Sequence, residues 1–185
     1  DPVEYNLSGI NQVLVRSEIG MTFAAALRAF LRQDPNIVMV GEIRDLETAK
    51  VAFEFASTGR PVLSTVHTNS AAGAIQRLRD MGIEPYVLAA TLKAVIAQRL
   101  VRKLCENCRQ PHESTPEELS MFGLPAQAAP QMWRPTGCMA CGNSGYNGRL
   151  GVYELITIDG GLRDLIRADG SEDDIQDMAF AQHDT

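Results

Sequence analysis

Residues 37–45 read IVMVGEIRD. Four apolar side chains run unbroken from Ile37 to Val40, and behind Gly41 come Glu42, Arg44 and Asp45. An apolar run without alternation suits a strand covered on both faces, as in a parallel sheet. A carboxylate at the end of such a strand stands where open α/β sheets bind their ligands, outside the carboxyl ends of the strands.

The segments on either side continue an α/β pattern. INQVLVR (10–16) alternates, carries β-branched residues and predicts a strand. MTFAAALRAFLRQ (21–33) predicts a helix capped by Thr22, with Phe23, Leu27, Phe30 and Leu31 on one face and Asp34-Pro35 beyond its end. After the central strand, DLETAKVAFEFASTG (45–59) predicts a helix capped by Asp45 and stopped at Gly59. PVLSTVH (61–67) predicts a second short strand with a polar end, and SAAGAIQRLRDMG (70–82) another helix. This alternation implies an α/β domain with a mainly parallel sheet. EPYVLAATLKAVIAQRL (84–100), with Pro85 suited to a first helical turn, predicts one more helix.

Beyond about residue 102 the texture changes. Cysteine, proline and glycine become frequent between Cys105 and Gly151, with a short helix predicted at TPEELSMFG (115–123). RLGVYELI (149–156) predicts a strand entered through a turn at Asn147-Gly148. GLRDLIRA (161–168) and SEDDIQDMAF (171–180) predict helices, the second with Ser171 and Asp174 as a capping box. The expected organisation is a main α/β piece over 1–102, a cysteine-bearing module over 103–151 and a helical segment over 152–185.

The composition narrows the function. With 185 residues and 45% hydrophobic content the chain can bury a core. A formal net charge of −6 supplies no field to neutralise a phosphate backbone, so no nucleic-acid partner is predicted. The most apolar long stretch, 86–101, is interrupted by Lys93, Gln98 and Arg99, and no transmembrane helix is predicted. The opening DPVEYNLSGI has neither Met nor a leader pattern and reads as a piece of a longer protein.

Four cysteines in two close pairs, without a secretion signal, favour a reducing compartment and metal binding over disulfides. They form C-x2-C knuckles at Cys105/Cys108 and Cys138/Cys141. Two knuckles bring four thiolates into a tetrahedron that suits Zn2+ with every position filled. The competing reading is four reduced core cysteines. His112 reads as a surface residue rather than a fifth ligand, and His183 as part of the tail. Trp133 and Tyr146 read as packing for a module with little core, while Arg99, Arg102 and Lys103 suit either an interface or a solvated face.

Three polar groups fall at or near strand ends: Glu4, Glu42 and His67. If those strands are neighbours, the groups converge on one crevice. There a carboxylate can polarise water or hold a Mg2+ shell, and an imidazole can meet a phosphate oxygen. From spacing alone the alternative stays open that Glu42 pairs with Arg44 as an ordinary ion pair and His67 caps a loop.

LRQDPNIVMVGEIRDLETA (31–49) closely resembles the signature of the bacterial ATPases of type II secretion and type IV pilus assembly. DPVEYNLSGINQV (1–13) is similar to that family's Asp box and STGRPVLSTVHTNSAAGAIQRL (57–78) to its His box. LVRKLCENCR (100–109) and RPTGCMACGNSGYNGRLGVYEL (134–155) resemble its tetracysteine module. The resemblance covers nearly all of residues 1–160. It implies part of a RecA-like P-loop NTPase domain with a zinc-binding tetracysteine module and a small C-terminal helical segment. It also implies that Glu42 is the Walker B glutamate that activates the attacking water, Glu4 the Asp-box glutamate and His67 a γ-phosphate sensor. Arg44 and Asp45 would hold the loop around Glu42 at the nucleotide.

The implied whole protein is a homo-hexameric cytoplasmic ATPase using Mg2+ and ATP, peripheral at a bacterial inner membrane through secretion or pilus platform proteins. It would power type II secretion by pseudopilus assembly, or type IV pilus assembly, and the sequence does not choose between them. Three departures stand out. Arg60 occupies the place of the family's first His-box histidine among the cofactor-binding positions, and Asn36 the place of a usual Asp. The Walker A loop G-x-x-x-x-G-K-[ST] is absent from this sequence, which predicts that the chain by itself neither binds nor hydrolyses ATP. The rival reading is a non-catalytic zinc-ribbon scaffold or regulatory binding module. Exposed apolar sheet edges predict association of the isolated chain.

Overall fold

The computed structural model describes residues 3, 5–128 and 130–181, and Glu4 and His183 lie outside the described residues. The chain divides into two units, Asp1–Ala97 with Glu154–Thr185, and Gln98–Tyr153.

In the first unit, capping side chains start the helices where the sequence places them. Thr22 Oγ1 accepts the Ala25 N–H at 3.1 Å and opens α1 (Phe23–Leu31). Asp45 Oδ1 accepts from Thr48 N at 2.8 Å and opens α2 (Leu46–Ser57). Ser70 Oγ accepts from Gly73 N at 2.9 Å and opens α3 (Ala71–Asp80). Such caps satisfy N–H groups that the first helical turn leaves without partners. Strands β1 (Val38–Val40) and β2 (Val62–Ser64) pair in parallel, with Val38 opposite Val62 and Val40 opposite Ser64. Val38 and Val40 face a core with Leu27, Phe55, Ile75 and Leu88, and full burial of such side chains contributes about 1.5–3 kcal/mol each.

The expectation of cover on both sheet faces is not met. Met39 is 69% and Leu63 57% exposed, so one face of the pair is bare among the described residues. The strand predicted at 10–16 is also corrected, since only an isolated bridge between Arg16 and Met21 forms there. Alternation supplies a face, but a strand also needs a neighbouring backbone to bond, and beyond the Arg16 bridge no ladder forms here among the described residues.

The helix predicted over 84–100 is corrected too. Helix α4 (Pro85–Thr91) ends where Leu92 turns extended (ψ 132°), and β3 (Ala94–Leu104) follows. β3 pairs with β6 (Tyr146–Thr157) in a two-stranded sheet. Val95 and Ile96 favour an extended backbone, and a ladder to β6 outweighs the helical pattern of the apolar run. Asn147-Gly148 lies inside β6 rather than before it, with Gly148 at φ 78°. Helices α6 (Gly160–Arg167) and α7 (Glu172–Ala181) then close the unit, burying Leu162, Ile166, Ile175 and Ala179. The predicted capping box is present: Asp174 Oδ2 accepts from Ser171 N at 3.1 Å, and Ser171 Oγ accepts from Asp174 N at 3.1 Å.

The second unit has little apolar interior. Short strands β4 (Gln110–His112) and β5 (Met132–Arg134) pair antiparallel, and α5 (Pro116–Met121) starts with a capping box between Thr115 and Glu118. Among the described residues its buried side chains are Cys105 and Leu119.

Candidate functional site

The register of the parallel pair builds the first site. With Val40 opposite Ser64, the chains leave β1 and β2 side by side, at the carboxyl ends that the fold class reserves for ligands. Two bonds hold the exits together: Thr65 Oγ1 donates to the Gly41 carbonyl at 2.7 Å, and Ile43 N–H donates to the Thr65 carbonyl at 3.0 Å. Thr65 escaped the sequence reading, although the parallel register sets it beside Gly41.

Glu42 and His67 meet on these joined exits. Glu42 is only 5% exposed, and its Oε1 pairs with the Arg44 guanidinium. His67 Nε2 stands 3.3 Å from Glu42 Oε2, while the His67 side chain as a whole is 88% exposed. Oε2 is buried without a hydrogen-bond partner among the described residues, and the imidazole at 3.3 Å acts on it as a weak, mainly electrostatic neighbour. The Arg44 hydrogen bond holds the Glu42 carboxyl below the ordinary carboxylate value, against burial and with a smaller contribution from His67. Arg44 is raised in turn by Glu42. The result is a carboxylate with one oxygen anchored and the other lacking a donor.

Asp45 is engaged in the α2 cap, where Oδ2 also accepts from Thr48 Oγ1 at 3.0 Å. It therefore fixes the chain direction directly after Arg44. Arg60 lies at the other end of the parallel pair, just before β2, where it pairs with Asp34 and sits 5.8 Å over the Phe55 ring. Thus Glu42, His67 and Arg44 come together, Asp45 is engaged in the adjoining cap, Arg60 does not join them, and Glu4 lies outside the described residues.

The second site is in the second unit. Cys105, Cys108, Cys138 and Cys141 bring their Sγ atoms within 4.8 Å of one another, and all four are free thiols. Three of the separations are 3.9, 3.9 and 3.8 Å. A tetrahedron with metal–sulfur bonds of about 2.3 Å has edges of about 3.8 Å, so the spacing fits a four-coordinate ion such as zinc. Local backbone makes each knuckle: Arg109 N–H donates to the Cys105 carbonyl at 2.9 Å, and Asn143 N–H to the Cys138 carbonyl at 2.9 Å. Although burial opposes it, N–H groups of Cys138 (3.3 Å) and Gly145 (3.2 Å) hold the Cys141 thiol down, while against the Cys141 N–H, burial and the bond to the Cys141 sulfur push the Cys138 thiol up. A Cβ at Gly145 would stand 2.5 Å from Pro135 Cβ, so only glycine fits that donor position. Four thiolates this close repel unless a cation sits among them, and a divalent ion removes that conflict.

Around the cluster, Arg109 lies 4.6 Å over the Trp133 ring and Arg102 3.9 Å over Tyr146, so both aromatic residues carry a cation on one face. His112 Nε2 is 2.9 Å from the Glu118 carboxylate and takes no part in the cysteine cluster.

A family model described as "Type II/IV secretion system protein" matches residues 1–185. The type II secretion system protein E of Aeromonas hydrophila is 52% identical over 172 residues, covering 93% of this chain and 34% of that protein. The type IV pilus assembly ATPase PilB of Thermus thermophilus is 50% identical over 182 residues, covering 97% of this chain and 20% of its own length. The chain thus spans about a third or less of the curated relatives it matches. Among solved structures, the pilus retraction motor PilT with bound ADP matches with a TM-score of 0.57 and 30% identity, over 88% of this chain and 37% of that one. The expected fold, part of a RecA-like α/β domain with a four-cysteine module able to hold a metal ion, agrees with these likenesses.

Proposed function

We propose, because this chain belongs to the type II/IV secretion system protein family, that the intact protein is an ATPase with Glu42 as its catalytic carboxylate. The observation that carries this is the Glu42 Oε2 atom: buried, held ionised by Arg44 and without a hydrogen-bond donor among the described residues, at the ligand-binding end of a parallel strand pair. A structural ion pair has no use for an unmet acceptor, whereas a residue that orients a water or a hydrated cation does. The relatives named as a pilus assembly ATPase and as a motor holding ADP support the nucleotide reading.

In the mechanism, Arg44 keeps Glu42 charged and fixes one oxygen, so the other points at a constant place. A carboxylate held there accepts the proton of an attacking water. His67, exposed beside it, donates to an anionic phosphate oxygen, and Glu4 is assigned to the same water and metal from its place in the Asp box. Asp45 holds the chain through the α2 cap. Arg60 is assigned to the nucleotide only through its His-box position, because its partner here is Asp34. Mg2+ supplies charge neutralisation of the phosphates when bound.

The whole protein is read as a cytoplasmic homo-hexamer, peripheral at the inner membrane through platform proteins, that drives pseudopilus or type IV pilus assembly. The tetracysteine cluster holds Zn2+ as a structural ion, with no open position for catalysis. We assign 1–102 to the ATPase domain, 103–151 to the zinc module and 152–185 to the helical segment. Lacking a Walker A loop, the chain by itself is inactive.

The test is ATP turnover by the full-length gene product, wild type beside Glu42→Gln, with zinc measured on both. The expected result is a fall in kcat of about 10²- to 10⁴-fold with zinc unchanged. Equal turnover in the two proteins would remove Glu42 from the chemistry and favour the scaffold.

A further inference from the structure

Helix α3 begins just beyond His67, separated from it by Thr68, Asn69 and the cap Ser70. The C-terminal segment grips this helix at both ends. At its start, Ser70 Oγ donates to Glu172 Oε1 at 3.0 Å while accepting from Gly73 N, and Ala71 N–H donates to Glu154 Oε1 at 3.2 Å. At its end Arg79, 7% exposed, donates to the carbonyls of Gly170 at 2.6 Å and Ile166 at 3.0 Å. Thr68 Oγ1 donates to the Ser70 carbonyl at 3.0 Å and braces the link back toward His67.

A helix start needs one cap, and Ser70 provides it. Two further carboxylates, 83 and 102 positions away in sequence, exceed that need. They also occupy the end of α3 that would attract an anion, which leaves the His67 imidazole as the hydrogen-bonding group this loop offers to a phosphate oxygen. We infer that Glu172 and Glu154 are positioning residues: through Ser70 and Ala71 they set the His67 loop, so that helices α6 and α7 act on the candidate site along α3. This rests on the reading of His67 as a phosphate contact. Energetically, a loop with an exposed imidazole has little burial to hold it, so its geometry is set by the polar bonds at its base.

The test measures kcat and KM for ATP in the full-length gene product carrying Glu172→Ala, Glu154→Ala or Glu172→Gln, each also combined with His67→Ala. Amide hydrogen exchange over residues 68–73 is followed in parallel. The expected result is about a tenfold fall in kcat for either alanine variant with KM changed less than about twofold. Glu172→Gln keeps an acceptor for Ser70 Oγ and recovers most of the activity. In the His67→Ala background the alanine variants add nothing further, because they act through that residue. Gly73→Ala is a second route to the same effect, since its Cβ would lie 3.0 Å from Glu172 Oε1 and 2.8 Å from Ser70 Oγ. Normal turnover by the alanine variants where His67→Ala is impaired overturns the inference, as do effects that multiply in the double variants. If His67→Ala itself turns over normally, the phosphate reading of His67 fails; the strut is then decided by exchange, standing if amides 68–73 open faster and falling if they do not.

Discussion

His67 Nε2 lies 3.3 Å from Glu42 Oε2, and the two residues reach each other only because β1 and β2 end side by side. The imidazole is exposed and the carboxylate buried, so the pair presents a solvent-facing ring beside a fixed acceptor. That asymmetry suits a phosphate held outside and a water held inside.

Arg44 governs the charge of Glu42. A carboxyl whose folded pKa is depressed contributes stability above its unfolded pKa and loses it as pH falls through the folded value. Glu42 is lowered from an ordinary 4.5, so its contribution disappears only below that pH. In Arg44→Met the largest lowering cause is gone and burial acts with less opposition. The Glu42 titration, followed by carboxyl carbon NMR, is expected to move to higher pH, and acid unfolding to begin earlier. A Glu42 midpoint unmoved in Arg44→Met would show that another group holds the charge.

With the proposed Zn2+ held by the cluster, its removal is expected to undo the second unit. Its interior is the cysteine cluster with Leu119, and the chain's one tryptophan, Trp133, stacks with Arg109 there. A strong chelator, or Cys108→Ser, should lower bound zinc from about one per chain and shift Trp133 emission toward that of a solvated indole. Far-ultraviolet dichroism from α1 to α4 should persist. Unchanged emission after complete metal loss would mean that the thiols alone hold the module.

Arg79 is expected to matter out of proportion to a surface arginine. Arg79→Met removes charge-assisted bonds to Gly170 and Ile166 from a buried place, a loss of about 2–4 kcal/mol in urea unfolding. Arg79→Lys should fall between, since an ammonium cannot fork to both carbonyls. A loss under about 0.5 kcal/mol, as at an ordinary surface position, would argue against the clamp.

Met39 and Leu63 predict association. With one face of the strand pair bare, this chain on its own should show a mass that rises with concentration in light scattering. Met39→Lys with Leu63→Glu should return it to monomer mass. A wild-type chain that stays monomeric at high concentration would place the interaction surface elsewhere.

Much of the first site was legible because its determinants are close in sequence. Glu42, Arg44 and Asp45 occupy one turn after a strand, and Asp45 bonds Thr48 three positions on. The cysteine knuckles close within a few residues in the same way, through the Arg109 and Asn143 amides. Arg60 shows the limit: its place in a motif suggests a ligand, but its nearest anion in space is Asp34.

By itself the sequence determined the helix starts at Thr22, Asp45, Ser70 and Thr115, the parallel character of β1 and β2, and the four-cysteine cluster. The caps depend on bonds spanning a few residues and the strands on a hydrophobic period, both written locally, while the cluster was signalled by two C-x2-C knuckles that meet across 33 residues. Only tertiary structure decided that 94–104 is strand rather than helix, that 10–16 lacks a ladder, and that Glu154 and Glu172 return to the start of α3. Those outcomes depend on which distant backbone or side chain arrives as partner, and the free energy of a contact across 83 or 102 residues has no local signature.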